Sequence, residues 1–286
     1  MHGEDSDRDG GRLDRVPEPP TTAAAAAWQI CMAAKVKPTV EAAEEALRQG
    51  CCVVIGLQST GEGVAAADAA AADGDGEPAS SAESTARRFL SEQCDALPDA
   101  DREVLLEELG RLGLPANPLD EIIHRLGGPA RVAEMTGRRH RYEKVRGRWR
   151  YVARAREAGS ADAVNVRERK LFQAGEKLVA VISEAASTGI SLQADRRAAN
   201  GRRRVHITFQ LPWSAERAVQ QMGRSHRSNQ SSAPAFKLVV SPIGGEWRFA
   251  SAVANRLQSL GALTQGGPLP RKNRLAGVAL IGPNQG

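Results

Sequence analysis

Four short apolar runs limit the fold more than any other feature of this chain: CCVVI at 51–55, VAVIS at 179–183, VHITF at 205–209 and KLVVS at 237–241. A strand with one face in water alternates apolar and polar residues, whereas near-continuous runs such as VAVIS and KLVVS belong to strands covered on both faces. Helix-forming segments stand between the runs. NVRERKLFQAG precedes VAVIS with Leu171 and Phe172 expected inward, SAERAVQQMG separates VHITF from KLVVS, and EWRFASAVANRLQSLG follows. The alternation predicts an α/β fold, a parallel sheet with helices on both faces. Hydrophobic residues make up 41% of the 286, enough for a core, but aromatics are only 4%, so that core must be mostly Ala, Val, Leu and Ile.

The other segments divide the chain. Residues 1–21 are acidic and proline-rich and read as a disordered leader. Residues 22–60 hold two helices, AAAAAWQICMAA and TVEAAEEALRQG with Gly50 as its stop, and then the first strand. Residues 61–83 carry six acidic residues, no basic ones and little larger than alanine or valine, and are expected to be a disordered insertion. A mainly helical and basic excursion occupies 84–163. In it DREVLLEELGRLGL should turn Val104, Leu105, Leu109 and Leu112 to one face, PLDEIIHRLGG should end at its glycines, and PARVAEMTGR reads as a further short helix. RRHRYEKVRGRWRYVARAR then reads as a hairpin, by composition the patch most suited to nucleic acid; a charged two-stranded excursion with half-buried aromatics fits it equally. Residues 164–265 complete the α/β domain, and 266–286 form a Gly- and Pro-rich tail expected to be loose.

Several chemistries lack their residues. Cys31, Cys51, Cys52 and Cys94 have neither C-x-x-C spacing nor nearby histidines, which disfavours a zinc site and fits a reducing compartment. The five histidines show no metal-binding pair, His206 reads as structural, and neither a serine-hydrolase elbow nor a dinucleotide fingerprint is present. No apolar stretch approaches membrane-spanning length. GLQSTGEG at 56–63 has the glycine spacing of a P-loop, but Glu62 and Gly63 stand where that motif needs lysine and a hydroxyl. It is therefore read as the end of a strand, with Gln58, Ser59 and Thr60 either facing a nucleic-acid backbone or forming a capped turn.

Two segments can hold anions. In AVQQMGRSHRSNQ, Arg224 and Arg227 lie three residues apart after Gly223, so their guanidiniums can converge on one phosphate, or form a surface charge cluster. In SEAASTGISLQADRR, the small residues Ser187, Thr188 and Gly189 follow a strand, where open sheets bind ligands; a satisfied local turn is the other reading. Between Ser183 and Gln230 stand eight arginines and three acidic residues, a local excess equal to the net charge of +5 for the whole chain.

QQMGRSHR resembles the sixth, Q-x-x-G-R-x-x-R motif of superfamily 2 helicases, and the order of segments around it resembles their second RecA-like domain. The blocks CVVIGLQSTGE, LDEIIHRLGGPARVAEMTGR, SEAASTGISLQADRRAANGRRRVHITFQLPWSAERAVQQMGRSHRSNQ and EWRFASAVANRLQSLGAL resemble the carboxy-terminal helicase-like domain of the strawberry notch family more closely. The resemblance implies a RecA-like sheet. It implies ATP with magnesium in a composite site, to which an amino-terminal RecA-like domain, in cis or in trans, brings the P-loop. Arg224 and Arg227 would act on the phosphoryl group, with Gln220, Gly223 and Gly189 near the nucleotide. Gln58, Ser59, Thr60, Ser187, Thr188, Arg202 and Arg203 would meet DNA or RNA; no metal ligand is expected in this chain. It further implies a nuclear role in transcription, with chromatin or transcription proteins as partners and no membrane. Without a P-loop the chain is expected to be inactive alone. The alternative is a non-catalytic adaptor that binds nucleic acid or protein.

Overall fold

The computed structural model describes residues 22–63, 65–66, 80–93, 97–154, 161–184, 189–212, 214–241, 244–259, 274–275 and 278–281. The expected leader, most of the acidic insertion, and Ser187 and Thr188 lie outside these residues.

Helix α1 (Thr22–Ala34) runs through Lys35 into α2 (Val36–Arg48). The apolar side of α2, with Val36, Val40, Ala43 and Ala46, is buried against the sheet. Gly50 then takes a positive φ of 74°, which glycine adopts without strain, and turns the chain into β1 (Cys52–Leu57). All six residues of β1 are buried. Their alternate side chains enter two different clusters: Val53, Ile55 and Leu57 meet α2 on one face, and Cys52 and Val54 meet Phe172 on the other. This double coverage is why the run reads as continuously apolar.

Next come α3 (Ser81–Gln93), α4 (Asp99–Arg111) and α5 (Pro118–Arg125). Asn117 caps α5, its side-chain oxygen accepting from the Leu119 and Asp120 amides at 2.9 and 3.2 Å, a contribution of about 1 kcal/mol. The face expected of α4 is not buried. Leu109 packs with Ala26 and Ala86, but Val104, Leu105 and Leu112 remain 55%, 40% and 59% exposed, because α3 and α1 cover only one ridge of the helix.

Residues 132–135, expected as a short helix, form the strand β2 (Val132–Met135). Gly127 and Gly128, at φ 99° and 73°, end α5 and send the chain to the open side of β5 (Val179–Ser183), where Val132 to Met135 pair in parallel with Val179 to Ile182. Pairing and burial on both faces outweigh helix propensity here. The basic segment does form a hairpin, β3 (His140–Val145) and β4 (Arg148–Ala153), turning at Arg146 and Gly147 with φ 52° and 83°. Helix α6 (Ala161–Ala174), with Phe172 buried, leads into β5; β6 (Arg204–Thr208), α7 (Ala215–Met222), β7 (Ala235–Val239) and α8 (Gly244–Ser259) follow.

The tail is not wholly loose. Residues Arg274–Leu275 (β8) and Val278–Ile281 (β9) extend the sheet, β9 pairing in parallel with β7. The seven strands run β2-β5-β1-β6-β7-β9-β8, all parallel except β8. With α2 and α5 on one face and α6, α7 and α8 on the other, this is the expected RecA-like α/β architecture, and the helical insertion follows its first strand.

Candidate functional site

The site is built on β6, whose side chains divide sharply. Val205 and Ile207 enter the core beside α2, while Arg204, His206 and Thr208 form a buried polar stripe on the opposite face. Burying such groups is costly unless they are hydrogen-bonded, as Arg204 and His206 are; Thr208 Oγ1 has no partner among the described residues. Arg204, 1% exposed, donates from Nε to the Leu192 carbonyl at 3.0 Å and from Nη2 to Gln173 Oε1 and the Asn200 carbonyl at 3.0 and 3.1 Å, and so holds the loop after β5 against the sheet. His206 shares a hydrogen bond between Nδ1 and Ser225 Oγ at 2.8 Å. Burial pulls its pKa down to about 3, so the ring is neutral and serves as a fixed strut under the turn after α7.

That turn carries Arg224. Ser214 caps the start of α7 by accepting from the Arg217 amide at 3.2 Å, and the helix runs across the face of the sheet to Gly223. There Gly223 closes the last turn, its amide donating to the Val219 carbonyl at 2.8 Å. The Arg224 carbonyl accepts from Leu192 N at 2.8 Å, and the Asn229 carbonyl accepts from Arg196 N at 3.1 Å. These two bonds stitch the loop after β5 to the arginine segment.

The Arg224 guanidinium is partly buried, and its Nε has no hydrogen-bond partner among the described residues. Burial first, then the charge of Arg227, pull its pKa below the ordinary arginine value; the two cations therefore feel each other. Arg227 is exposed, its Nε donating to the Gly223 carbonyl at 3.3 Å. Gln220 is exposed, and the inward glutamine is its neighbour: Gln221 donates from Nε2 to the Leu57 carbonyl at 3.2 Å. Gly56 leaves the space for it, since a Cβ there would come within 2.6 Å of Gln221 Oε1. Gly189 is exposed at φ 76°.

The remaining candidates separate. Gln58, Ser59 and Thr60 lie at the carboxyl end of β1, where Gln210 Oε1 accepts from the amides of Gln58 and Ser59 at 2.7 and 2.8 Å and Asn117 Nδ2 donates to the Thr60 carbonyl at 3.0 Å. Arg202 and Arg203 precede β6 at the opposite end of the sheet, the Arg203 carbonyl accepting from Cys52 N at 2.9 Å. A strand of six residues, about 20 Å, divides the two sets. The arginine excess between Ser183 and Gln230 is likewise spread out: Arg204 is internal, Arg217 pairs with Glu184 and Arg197 with Asp195.

A buried charge cluster, missed in the sequence, sits at the carboxyl end of β2 and the turn after it. Glu134 accepts from Arg138 Nε and Thr136 Oγ1, both at 2.6 Å, and lies 3.3 Å from Arg154 Nε. Arg138 also pairs with Asp120, whose other oxygen accepts from Tyr142 N at 2.9 Å. Despite complete burial, these guanidiniums hold the Glu134 carboxyl at about 2. Glu62, in the position a P-loop would give to lysine, accepts from the amides of Arg139 and His140 at 2.7 and 2.9 Å. Together these contacts fix the hairpin β3–β4 to the sheet.

No group of three or more His, Cys, Asp or Glu among the described residues could hold a metal, and no described helix is long and apolar enough to cross a membrane. The family model described as the C-terminal domain on Strawberry notch homologue matches residues 117–276. The chain is 58% identical over 168 residues to protein strawberry notch homolog 2 of Homo sapiens, covering 58% of this chain and 12% of that protein. It is 57% identical over 164 residues to protein FORGETTER 1 of Arabidopsis thaliana, covering 57% and 13%, and 56% identical over 168 residues to protein strawberry notch of Drosophila melanogaster, covering 58% and 10%. It thus spans only a small part of the length of these relatives. No solved structure matches. The matched region omits β1, which the sheet nevertheless places between β5 and β6. With more than half of its residues matched, the chain belongs to the strawberry notch family, through the carboxy-terminal helicase-like domain of its members.

Proposed function

We propose that this domain is one half of a nucleic-acid-dependent ATPase and that Arg224 and Arg227 act on a nucleotide held by an amino-terminal RecA-like domain. The observation that carries the reading is the state of Arg224: a guanidinium desolvated in part, beside a second cation, with Nε unpartnered among the described residues. Such a pair gains from an anion between its members, and a phosphoryl group offers the planar guanidinium bidentate acceptors. ATP with magnesium would supply a transferable phosphoryl group on which negative charge develops. Arg224 and Arg227 would stabilise that charge, with Gln220, Gly223 and Gly189 bordering the nucleotide. Magnesium ligands would come from the partner domain. His206, Ser225 and Leu192 would keep the arginine turn in place, so that little reorganisation is needed when charge appears.

The isolated chain should therefore not hydrolyse ATP. Gln58, Ser59 and Thr60 would border nucleic acid at the carboxyl edge of the sheet, with Ser187 and Thr188 as further candidates. Arg202 and Arg203, at the far edge, would serve a separate contact. On the family resemblance we extend the proposal to a nuclear role beside chromatin or transcription proteins.

Reconstitution tests it. Adding an amino-terminal RecA-like domain should produce ATP hydrolysis, and Arg227→Ala should lower it by about 10³–10⁵, as for other arginine fingers, with the unfolding midpoint unchanged. Full activity in the variant would overturn the assignment.

A further inference from the structure

The β3–β4 hairpin is left unused by that reading, and its charges are divided in an informative way. The acidic groups around it are all engaged. Glu134 and Asp120 are buried with Arg138, Glu143 pairs with Arg141, and Glu62 accepts from the amides at the hairpin base. The basic groups pointing outward form no ion pair among the described residues: Arg139, Lys144, Arg146, Arg148 and Arg150 are exposed, and Lys144 lies over the Trp149 ring, 5.8 Å from its centroid. The surface they leave is mainly basic; its acid on the face of Arg148 and Arg150 is Glu143, which Arg141 holds.

The arm is firmly held. Tyr142 is buried and its hydroxyl donates to the Ala65 carbonyl at 3.2 Å; His140 stacks on Tyr151 at 5.2 Å, and Trp149 meets the edge of His124 at 5.2 Å. These contacts share one face, which leaves Arg148 and Arg150 on the other, about 7 Å apart along the strand. The two-residue turn at Arg146 and Gly147 forms the tip. Through Glu62 the base joins the segment that follows Gln58–Thr60, so loop and arm share the carboxyl edge of the sheet.

We infer that the hairpin is an arm that grips the phosphate backbone of nucleic acid without reading its sequence. An acidic protein is the weaker fit. Protein interfaces are built on desolvated apolar or aromatic anchors, whereas the one large apolar residue exposed on this arm, Val145, stands among five cations. A row of guanidiniums without such an anchor suits a repeating anion. The inference rests on the reading that the domain meets nucleic acid, and names a surface for it.

The test uses the full chain and fluorescein-labelled oligothymidylate, with RNA and duplex DNA as further arms, titrated between about 50 and about 200 mM salt. The variant Arg146→Asn/Arg148→Gln/Arg150→Gln removes three charges and suits the left-handed turn. It should weaken binding about tenfold at low salt and flatten the salt slope by about 2, at about 0.7 per lost single-strand contact. The control Lys37→Gln/Arg48→Gln/Arg111→Gln removes as many charges elsewhere and should bind as the native chain does. Unchanged binding in the hairpin variant, equal loss in the control, or equally tight binding of polyglutamate would each overturn the inference. A native chain that binds no nucleic acid would sink the shared premise as well. Loss of hydrolysis in Arg227→Ala is a separate readout, so the ATP-site reading and this one can fail independently.

Discussion

Replacing Glu134 by glutamine should expose how the hairpin is anchored. The side chain is 2% exposed and faces three guanidiniums, those of Arg138, Arg154 and Arg141. Its carboxyl is held at about 2, against 4.5 ordinarily. At about 1.4 kcal/mol per pH unit, that difference corresponds to about 3 kcal/mol of stability from this one ionisation. The figure agrees with the 3–5 kcal/mol typical of breaking a buried ion pair, and should sit at the low end because Arg138 keeps Asp120. A carboxyl with a depressed folded-state pKa stabilises fully above its unfolded value and loses the effect as pH falls toward the folded one. Glu134→Gln should thus cost about 3 kcal/mol at pH 7, and the gap from the native chain should close between about pH 4.5 and pH 2. Taking the difference between the two proteins removes groups common to both, such as His206, which also destabilise the fold as they gain protons. Urea unfolding followed by tryptophan fluorescence measures it. A cost below about 0.5 kcal/mol at pH 7, the value for a solvated pair, or a gap that does not change with pH, would refute the burial argument.

Gly56→Ala should cost about 1–3 kcal/mol, since the new methyl displaces the buried Gln221 amide from the Leu57 carbonyl, and Gln221→Ala in the same chain should recover part of the loss. Denaturation of the two single variants and the double measures this, and strictly additive losses would show that the side chains do not meet. His206, held near 3 by burial, should show no titration above pH 5 in side-chain NMR, and Ser225→Ala should destabilise by about 1–3 kcal/mol by leaving its ring nitrogen unpaired. A midpoint for the ring between pH 6 and 7 would place it in contact with water.

The framework was readable because it depends on patterns the chain cannot disguise. The unbroken apolar runs of β1 and β5 report coverage on both faces, Gly50 and Gly127–Gly128 report helix ends, and Ser214 reports a helix start. The errors have specific causes. Glu134 and Arg138, four residues apart, look like a helical surface pair; they face each other because a strand and its following turn bring them together inside the protein. VHITF reads as an apolar strand with one odd histidine, although Arg204, His206 and Thr208 make one of its faces wholly polar. Their partners, Leu192, Gln173 and Ser225, are distant in sequence or lie on loops without a period. Which of the adjacent glutamines Gln220 and Gln221 points inward is decided only by the angle at which α7 crosses the sheet, which no pattern in the sequence carries. The strand at Val278–Ile281 was hidden by the glycines and prolines around it.

The segment from Gly56 to Gly63 shows how a phosphate-loop spacing can arise without a phosphate. In a P-loop, free backbone amides point at the ligand. Here the amides of Gln58 and Ser59 are taken by Gln210, the carbonyl of Thr60 by Asn117, and Gly56 is small because Gln221 lies against it. Glu62 is a carboxylate directed at the base of the hairpin, where it accepts from two amides, and it offers a phosphate no cation. Every feature that suggests a nucleotide is used to join β1 to α7, to α5 and to β3. In the readings proposed above, anions are held instead by Arg224 and Arg227 after α7 and by the outward cations of the hairpin, none of which forms an ion pair among the described residues.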